Sequence, residues 1–188
     1  MATALAGDQR FETEAISGIE TLGLAASQAR FLNLPFYQTG KVRKDPIGPR
    51  DIQIILELLE ERRPEIVLVA GDLSDPHGTH RMCKDAIEQA LVRYAGPPPE
   101  AWYYRGAWQE WPVVDADLLI PLSEEELRAK IAAIFKHQSQ KDRAPFPGID
   151  EREFWQRVEA RNLETAARAD RLGLPEYYAM EAYVIQRV

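Results

Sequence analysis

Cysteine is almost missing from this chain: Cys83 stands alone among 188 residues, so no internal disulfide can form and a reducing compartment is expected. Long hydrophobic runs are missing too, and none approaches the roughly 20 apolar residues that span a bilayer as a helix. There is no excess of positive charge. Lys and Arg number 23 against 30 Asp and Glu, a formal net charge of −7, and no basic stripe is present to track a phosphate backbone. The first residues, Met1–Asp8, carry neither a basic cluster nor an apolar core, so no signal peptide is expected in this stretch. Repeats and low-complexity tracts are also lacking. The expectation is a cytoplasmic single domain over residues 1–188, with no nucleic-acid and no membrane partner.

An ordinary 45% of the residues are apolar, and their spacing alternates between two periods. Phe11, Ala15, Ile16, Ile19 and Leu22 recur at helical spacing over residues 9–24, as do Ile52, Ile55, Leu56 and Leu59 over 49–62. Met82, Cys83, Ala86, Ile87, Ala90 and Leu91 predict a third helix, and Ser123 ahead of three glutamates caps a fourth, running to about residue 140. Phe154, Trp155, Val158, Leu163, Ala166 and Ala167 predict a fifth over 151–172. Between them lie short strand-like runs: 31–36, 66–70, 101–105, 117–121 and 181–185. Strands alternating with helices predict an α/β layered fold with a mainly parallel sheet.

One stretch concentrates chemistry. Ile66–Val67–Leu68–Val69–Ala70 reads as a buried strand, and Gly71–Asp72–Leu73–Ser74–Asp75–Pro76–His77–Gly78–Thr79–His80 follows it directly. Loops at the carboxyl ends of such strands are where open α/β sheets bind ligands. The Gly-Asp-x-x-Asp half matches part of a two-metal phosphoesterase pattern. Its partner motifs are missing, since no histidine precedes His77 and the only later ones are His80 and His137. The other half, Asp75 to His80, sets two imidazoles three residues apart at a helix start, where they can converge on one point as a ligand and a proton donor. A plain polar loop ahead of a helix is the alternative.

These residues resemble the LmbE/PIG-L family of zinc-dependent de-N-acetylases. In that family a strand of the type Arg-Pro-Asp-x-Val leads to an Asp-rich loop with His-x-x-His and a helix; Arg63–Pro64–Glu65–Ile66–Val67, then Asp75 to Arg81, repeat that order. The run from Ile131 to Gln140 is similar to the family's later helix ending in His-x-Ser-Gln. Phe31–Tyr37, Tyr104–Trp111 and Phe154–Arg157 look like a bacterial subgroup often fused behind a glucosamine-6-phosphate deaminase-like domain. The resemblance spans residues 10–188 and implies a Rossmann-like three-layer fold and hydrolysis of the N-acetyl group of an amino sugar or its conjugate.

By position, the resemblance implies His80 as a zinc ligand, His77 as the group that polarises the amide carbonyl, and Asp75 as the residue that orients a histidine. The family's other two ligands and its general base come from a His-Pro-Asp-Asp motif after the first strand, and no His-Pro occurs here. The first strand is therefore expected to be absent, the Zn2+ site incomplete, and the chain inactive unless a fused or complementing N-terminal segment, or another copy in a homo-oligomer, completes it. Two alternatives stay open: a non-catalytic sugar-binding or assembly module, and a protein that carries the deaminase name from its fusion partner. Arg105, Trp108 and Tyr37 are the expected substrate-binding residues, with Trp111 beside them; core packing competes for the aromatics. Glu181 reads as a buried, paired carboxylate, and His137 as a helix-terminal residue or a ligand.

Overall fold

Buried backbone needs partners, and the chain supplies them at each change of direction. In the computed structural model of the protein, residues 2–4, 9–37, 45–71, 78–105, 109–139 and 152–187 are described. Helix α2 (Pro49–Arg62) begins with proline, whose missing N–H is no loss in a first turn, and ends at Arg63 in the left-handed region, φ 45°. Asp51 in that first turn is buried as a carboxylate, yet both oxygens are used: Oδ2 accepts from Gly48 N at 2.8 Å and Oδ1 from Phe36 N at 3.0 Å. One side chain therefore ties the helix start to the preceding loop.

The other helices are α1 (Gln9–Thr21), α3 (Thr79–Arg93), α4 (Glu124–Ile134) and α5 (Phe154–Arg171). Ser123 caps α4 in both directions: its hydroxyl accepts from Glu126 N at 3.2 Å, and the Glu126 carboxylate accepts from Ser123 N at 2.7 Å. The helix stops at Ile134, six residues short of the expected end, because the chain turns at Phe135–Lys136 and His137 is drawn against α1. There the imidazole Nε2 lies 3.0 Å from where a Cβ on Gly18 would sit, so that glycine makes room for it.

Two sheets form. Strands β1 (Ala2–Ala4) and β2 (Ala29–Phe31) pair in parallel. Three residues are too few for a periodicity, and β1 was not foreseen. The larger sheet has the order β3-β4-β6-β5, with β3 (Ile66–Ala70), β4 (Glu100–Tyr104), β5 (Leu118–Leu122) and β6 (Ala179–Arg187). Only β3 and β4 are parallel neighbours; β6 runs against both β4 and β5. The sheet is mixed, not mainly parallel. Apolar alternation places a strand in a layer but carries no sign of its direction, and the chain returning from α5 enters the sheet from the far end.

The larger sheet is also stepped. Tyr183 of β6 pairs with Tyr104, the last residue of β4, and with Leu118, the first of β5. Beyond the step, β6 has a strand on one side only. Alternation in an antiparallel ladder turns the Met180 carbonyl toward the side that β4 has left, and Asn162 Nδ2 of α5 donates to it at 3.0 Å. At the other end, the Ile185 N–H lacks a β5 partner and donates to Asp117 Oδ2 at 2.8 Å. On one face of β3 and β4, Val69, Ala101 and Tyr103 pack with Leu34, Phe36, Ile52, Ile55, Leu59, Ala86 and Ala90 from α2, α3 and the loop before them. A smaller cluster of Leu127, Ile131, Val158 and Ala179 joins α4, α5 and β6.

Candidate functional site

The step opens a cavity of about 340 Å³ between the sheet, α4 and α5, lined by Leu68 and Tyr104 from the opposite face to Val69 and Tyr103. Its polar walls come from five places: Arg105 after β4, Glu110 in the next loop, Lys130 on α4, Arg161 and Asn162 on α5, and Glu181 and Tyr183 on β6. Glu181 and Tyr183 share a face because strand residues two apart point the same way. Lys130 and Asn162 fall on the apolar stripes of their helices, beside Ile131 and Val158 respectively.

Most of these groups satisfy one another. Lys130 Nζ forms an ion pair with Glu181 and donates to Asn162 Oδ1 at 2.9 Å. Tyr183 Oη donates to the other Glu181 oxygen at 2.7 Å. Burial works to raise the Glu181 pKa, but Lys130 and the Tyr183 hydroxyl outweigh it and hold the carboxyl below its usual range. The same contact, with burial leading, drives the Tyr183 phenol well above its usual value.

Glu110 is different. It accepts one hydrogen bond, from Trp111 N at 3.0 Å, and among the described residues no cation closes an ion pair with it. Lys130 is held by Glu181, and Arg161 Nη1 donates to the Gln109 carbonyl at 3.2 Å. Burial therefore dominates and pushes Glu110 up to about 7, against the smaller pull of the Trp111 amide, Arg161 and Lys130, with Glu181 adding to the rise. Arg105 stacks its guanidinium 4.3 Å above the Trp111 ring, and its Nε is buried with no hydrogen-bond partner. Trp111 is itself fixed, since its Nε1 donates to the Tyr103 carbonyl at 2.8 Å. The cavity thus holds a satisfied quartet beside two groups of opposite sign whose bonding is incomplete.

Of the expected site residues, Arg105 lies on this cavity. His80 sits exposed in the first turn of α3, after Gly78 in the left-handed region at φ 69°. Tyr104 bridges the two places: burial first, then Cys83 one turn on from His80 and Glu181 in the cavity, raise its phenol. Tyr37 ends a 3-10 turn, edge-on to Phe36 at 6.3 Å, and packs on the α2–α3 core, away from the cavity. Asp75, His77 and Trp108 lie outside the described residues. Glu181 is paired, as expected, but only partly buried. Glu110, Lys130, Arg161 and Asn162 were missed; a lysine and an asparagine on apolar helix stripes were the available signal. Among the described residues no group of three His, Cys, Asp or Glu side chains could hold a metal ion, so they do not by themselves fit a catalytic zinc. No helix among them is long and apolar enough to cross a membrane.

No protein-family model matches the chain. A putative glucosamine-6-phosphate deaminase-like protein of Bacteroides thetaiotaomicron is 52% identical over 163 residues, which is 84% of this chain and 25% of that protein. The chain therefore spans about a quarter of the length of the curated relative it matches. Among solved structures, the zinc-inhibited form of teicoplanin deacetylase Orf2 is 17% identical, with TM-score 0.52, over 95% of this chain and 74% of that one. GalB, the 4-carboxy-2-hydroxymuconate hydratase of Pseudomonas putida KT2440, is 16% identical, with TM-score 0.63, over 95% and 72%. A deacetylase and a hydratase thus share this mixed helix-and-sheet fold, and the fold alone does not choose between their chemistries.

Proposed function

We propose that this chain is the C-terminal part of a zinc-dependent de-N-acetylase acting on an amino sugar or its conjugate, and that it does not turn over substrate alone. The observation that carries this reading is the parallel pairing of β3 and β4. It brings the helix that starts with Thr79–His80 and the cavity bearing Arg105 and Glu110 to the same end of the sheet, with Tyr104 between them. That is the end at which α/β sheets bind ligands. The order of motifs around Asp75, His77 and His80, the deacetylase among the structural neighbours and the sugar-related name of the Bacteroides relative support it.

In this reading the cavity is the sugar side of the site. The Glu110 carboxylate accepts from hydroxyl or amino groups, the Arg105 guanidinium donates, and the Leu68 and Phe154 side chains exclude water from a ring edge. His80 would be one metal ligand, and the remaining ligands would come from polypeptide other than the described residues. The alternative reading is a sugar-binding module without chemistry. The test uses the longer protein in which such a chain occurs, supplied with N-acetylated amino sugars. Acetate release together with stoichiometric zinc that is lost in His80→Ala supports the enzyme reading. Ammonia release points to the deaminase instead, and sugar binding with neither product leaves the module.

A further inference from the structure

We propose that the free edge of β3 is the docking line for an extended apolar strand, supplied by the rest of the longer polypeptide in which such a chain occurs. This rests on the reading that further polypeptide completes the site, and deepens it by assigning where that polypeptide attaches and in what form.

β3 is the outer strand of its sheet, with β4 on one side only. The Glu65 carbonyl accepts from Glu100 N at 2.9 Å, and Gly71 N donates to the Tyr104 carbonyl at 2.7 Å. The odd-numbered residues of this stretch therefore turn their backbone groups to β4. Alternation aims the N–H and C=O groups of Ile66, Leu68 and Ala70 outward, and among the described residues none meets them. The side chains agree with the backbone. Ile66 is 45% and Leu68 58% exposed, and a bare, apolar edge of this kind is a template for another strand. Beside it runs a groove of about 440 Å³ over Ile55 and Leu58 of α2 and Ile87 of α3, reaching Leu32 just beyond β2. Arg62 is the sole charged residue among its described lining, so the segment that fits is apolar as well as extended. Leu68 also lines the stepped-sheet cavity, which places the docked strand against that cavity. Whichever way the strand runs, one of its ends emerges beside Gly71, at the end of the sheet that carries His80 and Arg105. Its source is at hand: three quarters of the Bacteroides relative lies outside the match to this chain.

Amide hydrogen exchange, measured residue by residue on the purified 188-residue chain and on the longer protein, tests this. In the chain alone, the amides of Ile66, Leu68 and Ala70 are expected to exchange on the order of 100-fold faster than those of Val67 and Val69, which face β4. In the longer protein all five are expected to exchange slowly. Leu68→Pro deletes one outward N–H and leaves the β4 ladder intact, as edge strands tolerate. In the longer protein it should return Ile66 and Ala70 to fast exchange while Val67 and Val69 stay slow. Ile66→Lys, at a position already half exposed, is a second and milder variant with the same expected effect. Fast exchange of the three outward amides in the longer protein overturns the inference. So does slow exchange of those amides in a dimer of the 188-residue chain, which would assign the edge to a second copy. Acetate release and zinc content of the longer protein are read separately. A protected edge without either product or metal sinks the hydrolase reading alone, and turnover with a fast-exchanging edge sinks this inference alone.

Discussion

Replacing Glu110 by glutamine should make the protein more stable above pH 7 and leave it unchanged near pH 4.5. In the folded chain this carboxyl releases its proton near pH 7, against an ordinary value of 4.5, chiefly because it is buried. The folded state thus holds a proton that the unfolded chain has given up, and stability falls as pH rises from about 4.5 through 7. A gap of this size, at about 1.36 kcal/mol for each pH unit, amounts to about 3 kcal/mol. Glutamine has no proton to lose, and its amide oxygen can still accept from Trp111 N. With a urea slope of ~2 kcal/mol per molar, the variant's unfolding midpoint should exceed that of the parent by about 1.5 M at pH 8 and coincide with it near pH 4.5. Urea titrations of both proteins at half-unit pH intervals measure this. Groups titrating alike in both proteins cancel in the difference. A midpoint difference that does not vary with pH, or one that grows toward acid, would refute the assignment of Glu110 as a buried carboxyl without an ion-pair partner.

Three further outcomes follow from packing and capping. Lys130→Met removes the cation from Glu181 and a donor from Asn162, and should destabilise by about 3 kcal/mol; adding Glu181→Gln should recover part of the loss, as a double-mutant cycle would register. Gly71→Ala puts a Cβ 3.0 Å from the Tyr103 Cβ and 3.4 Å from the Trp111 ring, so a loss of about 1–3 kcal/mol in chemical denaturation is expected, with a shift in Trp emission. Ser123→Ala deletes the acceptor for Glu126 N and should lower stability by about 1 kcal/mol without altering ligand binding.

The helices and strands that sequence patterning could reach are those long enough to repeat a period. The apolar faces of α2, α3 and α5 and the unbroken run of β3 are local properties, legible residue by residue. The direction of β6 is not local; it depends on which end of the sheet the chain re-enters after α5. The cavity is less local still, since Lys130 meets Asn162 and Glu181 across 32 and 51 residues of sequence. Arg105 was legible because it directly follows a strand. Glu110 looked like one more acid in a loop, and only the assembled cavity partly buries it. Asn162 could have been suspected from its place in the buried stripe of α5, between Val158 and Thr165.

The step in the sheet has a mechanical consequence. Because β6 is clasped by β4 along one stretch and by β5 along another, its register is fixed twice, from opposite sides. A slip of one residue would turn Glu181 and Tyr183 to the far face and bring Ala182 and Val184 in their place. It would also strip Met180 of Asn162 and Ile185 of Asp117. The cavity therefore cannot be retuned by sliding its floor. Among relatives of this chain, changes of specificity should fall on the residues carried by helices and loops, at positions such as Arg105, Glu110 and Arg161, while the strand beneath them holds still.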